Sequence, residues 1–433
     1  MGAASHKAQT SLSELVAPIF NPASFSHRDK IDGIFTTLRQ DNPLACVEVP
    51  GYDPHWMVTK YSDVKEITRQ DNLFHSGDRP KILHSQAGEA LARSFTGGSP
   101  NLFQSLVQLD PPEHTAYRNV LQGEFMPGGI AKMKENVAKT AQEFVDQMAS
   151  LAPTCDFADD VAMNYPLQVV LDIVGVPREH HPKMLQLTQW LFSYADPDLK
   201  RPGSDITDPE EIIKTWNVVF TQFHEFFMPL VEARRANPKE DIASLIANAK
   251  INGESMEERK MISYFGILAT AGHDTTSATT ALGMKMLAEN PDMLARLKEK
   301  PDLIPSFVEE CIRWGSPVQH FIRSATEDYV LRGQTIRKGD LLYISYLSAN
   351  RDEEEFDDPF TFKMDRAPNR HVGFGFGGHV CLGQHLARLE IRTIWQTLLP
   401  RLTEVELTGP VKFTESEFVC GPKSVPIRFK MDG

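Results

Sequence analysis

Several large protein classes are closed to this 433-residue chain by what it has little of. Cysteine is scarce: five residues, an odd number, at Cys46, Cys155, Cys311, Cys381 and Cys420, with no C-x-x-C pair. That pattern excludes a disulfide framework and a structural zinc site, and predicts reduced thiols. Positive charge is also short, 45 Lys and Arg against 58 Asp and Glu, for a net charge of −13. A nucleic-acid binder needs clustered cations to neutralise phosphates, so this balance argues against nucleic acid and equally against anionic lipid. Long apolar runs are missing too: the longest uncharged one, Met261 to Gly272, falls short of the ~18 residues that span a bilayer. The opening MGAASHKAQTSLSELV lacks the apolar run of a signal peptide, and His6 stands where a myristoylation signal needs Ser or Thr. The expectation is a cytoplasmic protein with no membrane segment. No period of ~20–50 residues recurs, which excludes solenoids.

What is present is mostly helical. At 41% hydrophobic residues the chain can build a large core, and a chain this long buries roughly three quarters of its unfolded surface. Between 208 and 236 the residues Ile212, Trp216, Val219, Phe220, Phe223, Phe227, Leu230 and Val231 keep the spacing of an amphipathic helix that stops before Pro238. A second helix is predicted from about Glu257 to Asn290; it is apolar nearly all round, as a central buried helix is. The stretch 196–208, dense in Pro, Asp and Gly, reads as a loop acting as a lid. Strand patterns are few. Residues 47–60 read as a hairpin around Pro50 to Pro54, and 329–346 as two strands turned at Arg332 and Gly333, with the next turn at Lys338 to Asp340. Val425 to Phe429 alternates as a strand. The expected architecture is one interleaved domain over 1–433, mainly α with a minor β subdomain, its first ~15 residues disordered.

The densest signal is HVGFGFGGHVCLG, residues 371–383. Gly373, Gly375 and Gly378 mimic a dinucleotide fingerprint, but no strand precedes them and no acid follows at the required distance. The loop instead delivers Cys381 just before a helical pattern through Gln384, Leu386, Ala387, Leu389 and Ile391. A thiolate there would sit at a helix N-terminus, where free amides and the dipole lower a cysteine pKa. An unpaired cysteine is more often an inert buried thiol, and the neighbours decide between the two readings. Phe374, Gly377, Cys381 and Gly383 form F-x-x-G-x-x-x-C-x-G, which resembles the haem-ligand signature of the cytochrome P-450 monooxygenases.

Three further motifs fall in that family's order. The first is Ala271-Gly272-His273-Asp274-Thr275-Thr276 inside the long apolar helix, where Gly, Thr and a buried acid are all costly. A threonine bonding back one turn and bending the helix explains part of it. The resemblance implies an oxygen-binding groove beside the haem at Ala271, with Thr275 as the catalytic alcohol and Asp274 as the acid that gates protons. The second is Glu310-x-x-Arg313, charges on one helix face. By resemblance this is a buried structural pair whose third partner is Arg366, with Arg370 as the alternative. The third is Asp110-Pro111-Pro112-Glu113-His114-Thr115-Ala116-Tyr117-Arg118, where His114 and Arg118 share a face. Such pairs are commonly exposed; in the family the matching residues bind haem propionates, and Arg323 and His379 fall at the other two propionate positions.

The resemblance covers nearly the whole chain and is closest to the soluble bacterial type, with extra similarity to the terpineol-hydroxylating branch in PNRHVGFGFGGHVCLGQHLARLE. It implies the triangular, helix-rich cytochrome P-450 fold, haem b as cofactor with Cys381 as the iron ligand, and insertion of one oxygen atom of O2 into a small neutral hydrophobic substrate: a monoterpene, an alicyclic compound or a small aromatic hydrocarbon. With no flavin or iron–sulfur motif in the chain, electrons would come from a separate ferredoxin and its reductase, docking near Arg118 and Arg388, with Lys132 and Lys134 extending the patch of a monomer. Family pocket positions map onto Leu102, Phe103, Leu268, Ala271, Val318, Gln319, Phe321, Phe418 and Val419, with no Lys or Arg among them and Gln319 as the one group able to orient a hydroxyl. A haem-thiolate peroxygenase or isomerase and a non-catalytic haem sensor are the alternatives; the first typically lacks the Asp274–Thr275 pair, and the second has no residues left for an output domain.

Overall fold

The computed structural model describes residues 12–432; residues 1–11 of the segment expected to be disordered lie outside the described residues, while 12–16 are helical. The helices that frame the interior are α1 (Glu113–Phe125), α2 (Pro127–Ser150), α3 (Asn164–Val174), α4 (His181–Phe192), α5 (Pro209–Ala236), α6 (Glu258–Ala271), α7 (Asp274–Glu289), α8 (Ile304–Gly315) and α9 (Gln384–Leu398). Helix α5 shows how the sequence sets such an element. Asp208 caps it by accepting from the Glu210 amide, Pro209 opens it, Glu210 and Glu211 occupy the first turn, and Arg234 and Arg235 the last. Acids at the start and bases at the end both oppose the macrodipole. Its stripe is buried as predicted at Trp216, Val219, Phe223, Phe227 and Val231.

The long central helix is two helices. After α6 the chain breaks at Gly272 and His273: the His273 amide bonds to the Thr270 carbonyl at 3.2 Å, a tighter turn than α, and the Thr275 hydroxyl donates to the Ala271 carbonyl at 3.0 Å. The periodicity is continuous across the break, which is why it reads as one element. Thr276 to Met284 of α7 are all buried. Gly283 lies against Trp395 of α9, where a Cβ would come within 2.6 Å of the indole.

Strands from both ends of the chain share a sheet. β1 (Leu44–Val47), β2 (His55–Val58), β3 (Phe74–His75), β5 (His320–Ala325) and β6 (Leu341–Ser345) form five strands in the order β1-β2-β6-β5-β3, with only β6 and β2 parallel. β4 (Thr154–Asp156), β7 (Leu402–Leu407) and β8 (Pro426–Met431) form a second sheet in the order β7-β8-β4. The 329–346 region holds three strands rather than two: a small hairpin, Tyr329–Leu331 with Gln334–Ile336, turns at Arg332 and Gly333, whose φ angles are 49° and 73°, and β6 leaves it for the main sheet.

A buried ionic knot ties α8 to the segment before the glycine-rich loop. The Arg313 guanidinium donates to both Glu310 oxygens, at 2.8 and 2.7 Å, and Arg366 Nε reaches the same carboxylate at 3.1 Å. Arg370 is not the partner; its carbonyl accepts from Tyr61 instead. Removing one member of a buried pair leaves the others uncompensated, at a cost of ~3–5 kcal/mol. Glu310→Gln is therefore expected to lower unfolding free energy by about that amount. Urea titration checks this, and a change under ~1 kcal/mol would mean the knot is dispensable.

Candidate active site

The glycine-rich loop is shaped by backbone conformation. Gly375 and Gly377 have φ of 73° and 78°, and a Cβ on Gly377 would collide with the Thr68 carbonyl. The turn brings the Cys381 amide to the Phe374 carbonyl at 2.8 Å and sets Cys381 in the wall of an internal cavity, just ahead of α9. Its residue surface is open to that cavity, whereas Cys311 and Cys420 are buried and Cys46 and Cys155 half-buried. The expected lowering of its pKa does not prevail. Burial pushes the Cys381 thiol up, against the Gly383 and Gln384 amides and the Arg118 and Arg388 charges, which pull it down. A bound metal cation reverses that balance and deprotonates a coordinating thiol.

The cavity lobe of about 220 Å³ beside Cys381 is also lined by His114, Arg118, Arg323, Phe374, His379 and Gly383. Four donors, His114, Arg118, Arg323 and His379, thus converge from three distant segments. Their state is unusual for a protein interior. Among the described residues Arg118 has no hydrogen-bond or ion-pair partner, and the Arg323 side chain, in a residue only 2% exposed, reaches a single carbonyl, Ile322, at 3.5 Å. Burial lowers the pKa of both guanidinium groups. The His114 and His379 rings stack at 4.0 Å, and burial, reinforced by neighbouring arginines, pushes His114 down to about 4 and His379 well below its ordinary value. Two neutral imidazoles and two orphaned guanidinium groups around a thiol fit a flat macrocycle that carries two carboxylates and a metal, as haem b does.

Across the cavity stands the α6–α7 break. Ala271, Gly272 and Thr275 line the cavity. Asp274 does not; its Oδ1 lies 3.1 Å from His273 Nδ1 and its buried Oδ2 has no partner. Burial pushes this carboxyl up to about 8 and the adjacent His273 down to about 3, so both groups are neutral at pH 7.

A second lobe of about 140 Å³ shares Ala271, Thr275, Val318 and Phe321 with the first and adds Leu102, Phe103, Phe418 and Val419; Leu268 lines the first lobe. Of the expected pocket residues one is displaced. Gln319 lies outside both lobes: its Oε1 accepts from Arg28 at 2.6 Å and its Nε2 donates to the Ser316 carbonyl at 2.5 Å, so the amide is spent on packing. The 196–208 loop does not line the cavity either. Its first residue, Asp196, is fully buried on Lys423 at 2.7 Å, and the walls on that side come from Leu191, Phe192 and Trp216. The expected basic patch is not built from Arg118 and Arg388, because Arg118 faces the cavity and Arg388 is bidentate on Glu309 at 2.7 and 2.9 Å.

Sequence reasoning missed Glu390, a buried carboxyl that lines the first lobe and is pushed well above its ordinary pKa by burial, and Lys81, which lines both lobes. The i, i+9 offset of Glu390 from Cys381 carries no local signal, and Lys81 sits in an Arg-Pro-Lys run that reads as surface.

The family model for cytochrome P-450 matches residues 18–429. Cytochrome P-450-terp from a Pseudomonas species is 42% identical over 408 residues, covering 94% of this chain and 95% of that protein. Among solved structures, CYP108D1 from Novosphingobium aromaticivorans superposes with a TM-score of 0.89 at 39% identity, over 97% of this chain and 99% of that one. CYP268A2 from Mycobacterium marinum, in complex with pseudoionone, gives 0.83 at 30% identity over 93% and 95%. Family model, relatives and fold agree with the geometry around Cys381: the chain belongs to the cytochrome P-450 family of haem b monooxygenases.

Proposed function

We propose that the chain is a single haem-thiolate monooxygenase domain that hydroxylates a compact hydrophobic compound, a monoterpene, an alicyclic compound or a small aromatic hydrocarbon. The observation that carries it is the pair of small, mostly apolar lobes meeting at Thr275, which lines the larger of them together with Cys381. The name of the Pseudomonas relative and the pseudoionone in the M. marinum structure support the terpenoid end of that range. Haem, when bound, supplies oxygen activation favoured by thiolate donation. Cys381 would hold the metal, with the Phe374 carbonyl fixing its amide and the Gly383 amide beside the sulfur. His114, Arg118, Arg323 and His379 bind the propionates. Thr275 presents its hydroxyl to the cavity while its donor is engaged on Ala271, and Asp274 holds a proton one residue behind it.

Electrons come from a separate ferredoxin and ferredoxin reductase, and the protein works as a cytoplasmic monomer. Among the described residues no helix is long and apolar enough to cross a membrane. The ferredoxin docks on the face nearest Cys381. With Arg388 compensated by Glu309, the exposed cations there include Lys132 and Lys134 on α2, which packs on α9, and Arg69, which lies over the Phe376 ring of the loop. An encounter driven by such charges weakens as salt rises.

The direct test is the reduced, carbon monoxide-bound spectrum. Wild type gives the red-shifted Soret band of thiolate ligation and Cys381→Ser loses it; retention of the band in the variant would refute the ligand assignment. Thr275→Ala is expected to bind substrate with near-normal affinity but to divert most reducing equivalents to hydrogen peroxide, with product per NADPH falling ~10-fold or more. Because the Asp274 carboxyl is raised to about 8, its proton is present below that pH and lost above it. Turnover should therefore decline above pH 8 in wild type, and Asp274→Asn should be slower with that limb removed. Equal coupling in Thr275→Ala, or an unchanged alkaline limb in Asp274→Asn, counts against these roles.

A further inference from the structure

Among the described residues the cavity wall holds three basic side chains, Arg118, Arg323 and Lys81, and one carboxyl, Glu390, whose pKa burial pushes well above its ordinary value. Haem b brings two carboxylates, which Arg118 and Arg323 answer one for one. Lys81 is left over. It is 2% exposed, and no described carboxylate pairs with it. Its Nζ donates to the Ser76 hydroxyl at 3.0 Å and lies 4.8 Å from the centroid of the Phe321 ring. The acids of this region are engaged elsewhere: Asp71 sits with His114 and His379, and Asp110 accepts from the Ser76 and Gly77 amides, while the Ser76 hydroxyl also lies 3.4 Å from His379 Nε2. An ammonium has three donors, so a neutral hydroxyl and a ring face leave two unspent, and a buried charge in that condition is costly unless something else completes it.

Its position is fixed from both sides. The Lys81 amide donates to Asn101 Oδ1 at 3.1 Å, its carbonyl accepts from the Ile322 amide of β5 at 2.8 Å, and the Leu83 amide two residues on donates to His320 Nε2 at 3.0 Å. Lys81 and Phe321 both belong to the wall shared by the two lobes, and the 140 Å³ lobe contains none of the proposed propionate ligands. The ammonium therefore borders the space proposed for substrate as well as that proposed for haem.

We propose that Lys81 is a specificity-determining residue whose ammonium binds an acceptor oxygen of the substrate, a hydroxyl, carbonyl or carboxylate, at the wall between the lobes, leaving the apolar skeleton toward Thr275. This rests on the monooxygenase reading above and narrows its substrate class from plain hydrocarbons to compact oxygenated ones. It also replaces the sequence expectation that no cation faces the pocket. A hydrogen bond to a charged group, made where water is excluded, is worth ~10–100-fold in affinity, and a site built to make one discriminates against analogues that lack the oxygen.

The test uses the holoenzyme and one carbon skeleton in three forms: p-cymene, p-isopropylbenzyl alcohol and p-isopropylbenzoate, titrated by spin-state conversion. Wild type should bind the alcohol and the carboxylate ~10–100-fold more tightly than the hydrocarbon. Lys81→Met should erase that preference and leave p-cymene affinity within ~3-fold, with haem content and the thiolate band retained. Should Lys81→Met fail to fold, Lys81→Gln, an uncharged donor, should keep the preference for the alcohol and lose that for the carboxylate. Equal binding of all three compounds by wild type, no response to any of them, or a preference that survives in Lys81→Met overturns the proposal. So does a Lys81→Met protein that folds but no longer retains haem, which would assign the ammonium to a propionate. Absence of the thiolate band in wild type strikes the haem-thiolate reading itself and is read independently of the titrations.

Discussion

Positive charge enclosed without protein counter-charge is the constraint around which the interior is arranged. The same molecule shows the alternative elsewhere, where Glu310 answers Arg313 and Arg366 with short hydrogen bonds in a buried knot. At the cavity no such answer exists among the described residues. Arg118 stands alone, Arg323 reaches one carbonyl at 3.5 Å, and the carboxyl that lines the space, Glu390, has its pKa pushed well above the ordinary value by burial. Leaving charges unmatched in a low-dielectric interior is tolerable only when a ligand completes them. The folded chain is thus an incomplete electrostatic object whose complement is a dianion, and the Cys381 thiol, raised by its own burial, is equally incomplete until a metal draws off its proton.

The elements around this constraint follow from it. The glycine-rich loop adopts left-handed turns so that one sulfur can face the cavity, and α9 begins just after, bringing the Gly383 and Gln384 amides to it beside the Arg118 and Arg388 charges. Opposite, α6 and α7 part at Gly272 and His273, and the threonine hydroxyls of α7 bond back to carbonyls at Ala271, Thr275 and Thr276, which keeps a polar seam in an otherwise apolar wall. Asp274 and His273 are both neutral where they lie, so the break stores a proton without adding a charge. Asp196 and Lys423 pin the loop after α4 to the C-terminal segment, beside the Leu191 and Phe192 walls of the smaller lobe.

What could be read from the sequence was whatever short-range spacing encodes. The loop around Cys381, the i, i+4 pair His114 and Arg118, the stripe of α5 and the i, i+3 pair Glu310 and Arg313 are all local patterns, and each lies where its spacing placed it. The failures are side chains whose fate is decided by a partner far along the chain. Gln319 is turned from the pocket by Arg28, 291 residues away, and Arg388 is neutralised by Glu309, 79 residues away. Lys81 reads as surface because lysine usually is, and only the packing of its segment against β5 buries it. The split between α6 and α7 was invisible for another reason: a tightened turn leaves the apolar period unchanged while altering which carbonyl is free.

The charge account is tested most directly by comparing haem b with its dimethyl ester, which keeps the iron and the macrocycle but carries no propionate charge. Retention of each group by the reconstituted protein would be measured as the rate of transfer to excess apomyoglobin. The account predicts that the ester is lost at least ~100-fold faster, because two guanidinium groups revert to their unpaired buried state. Loss of the two groups at the same rate would contradict it.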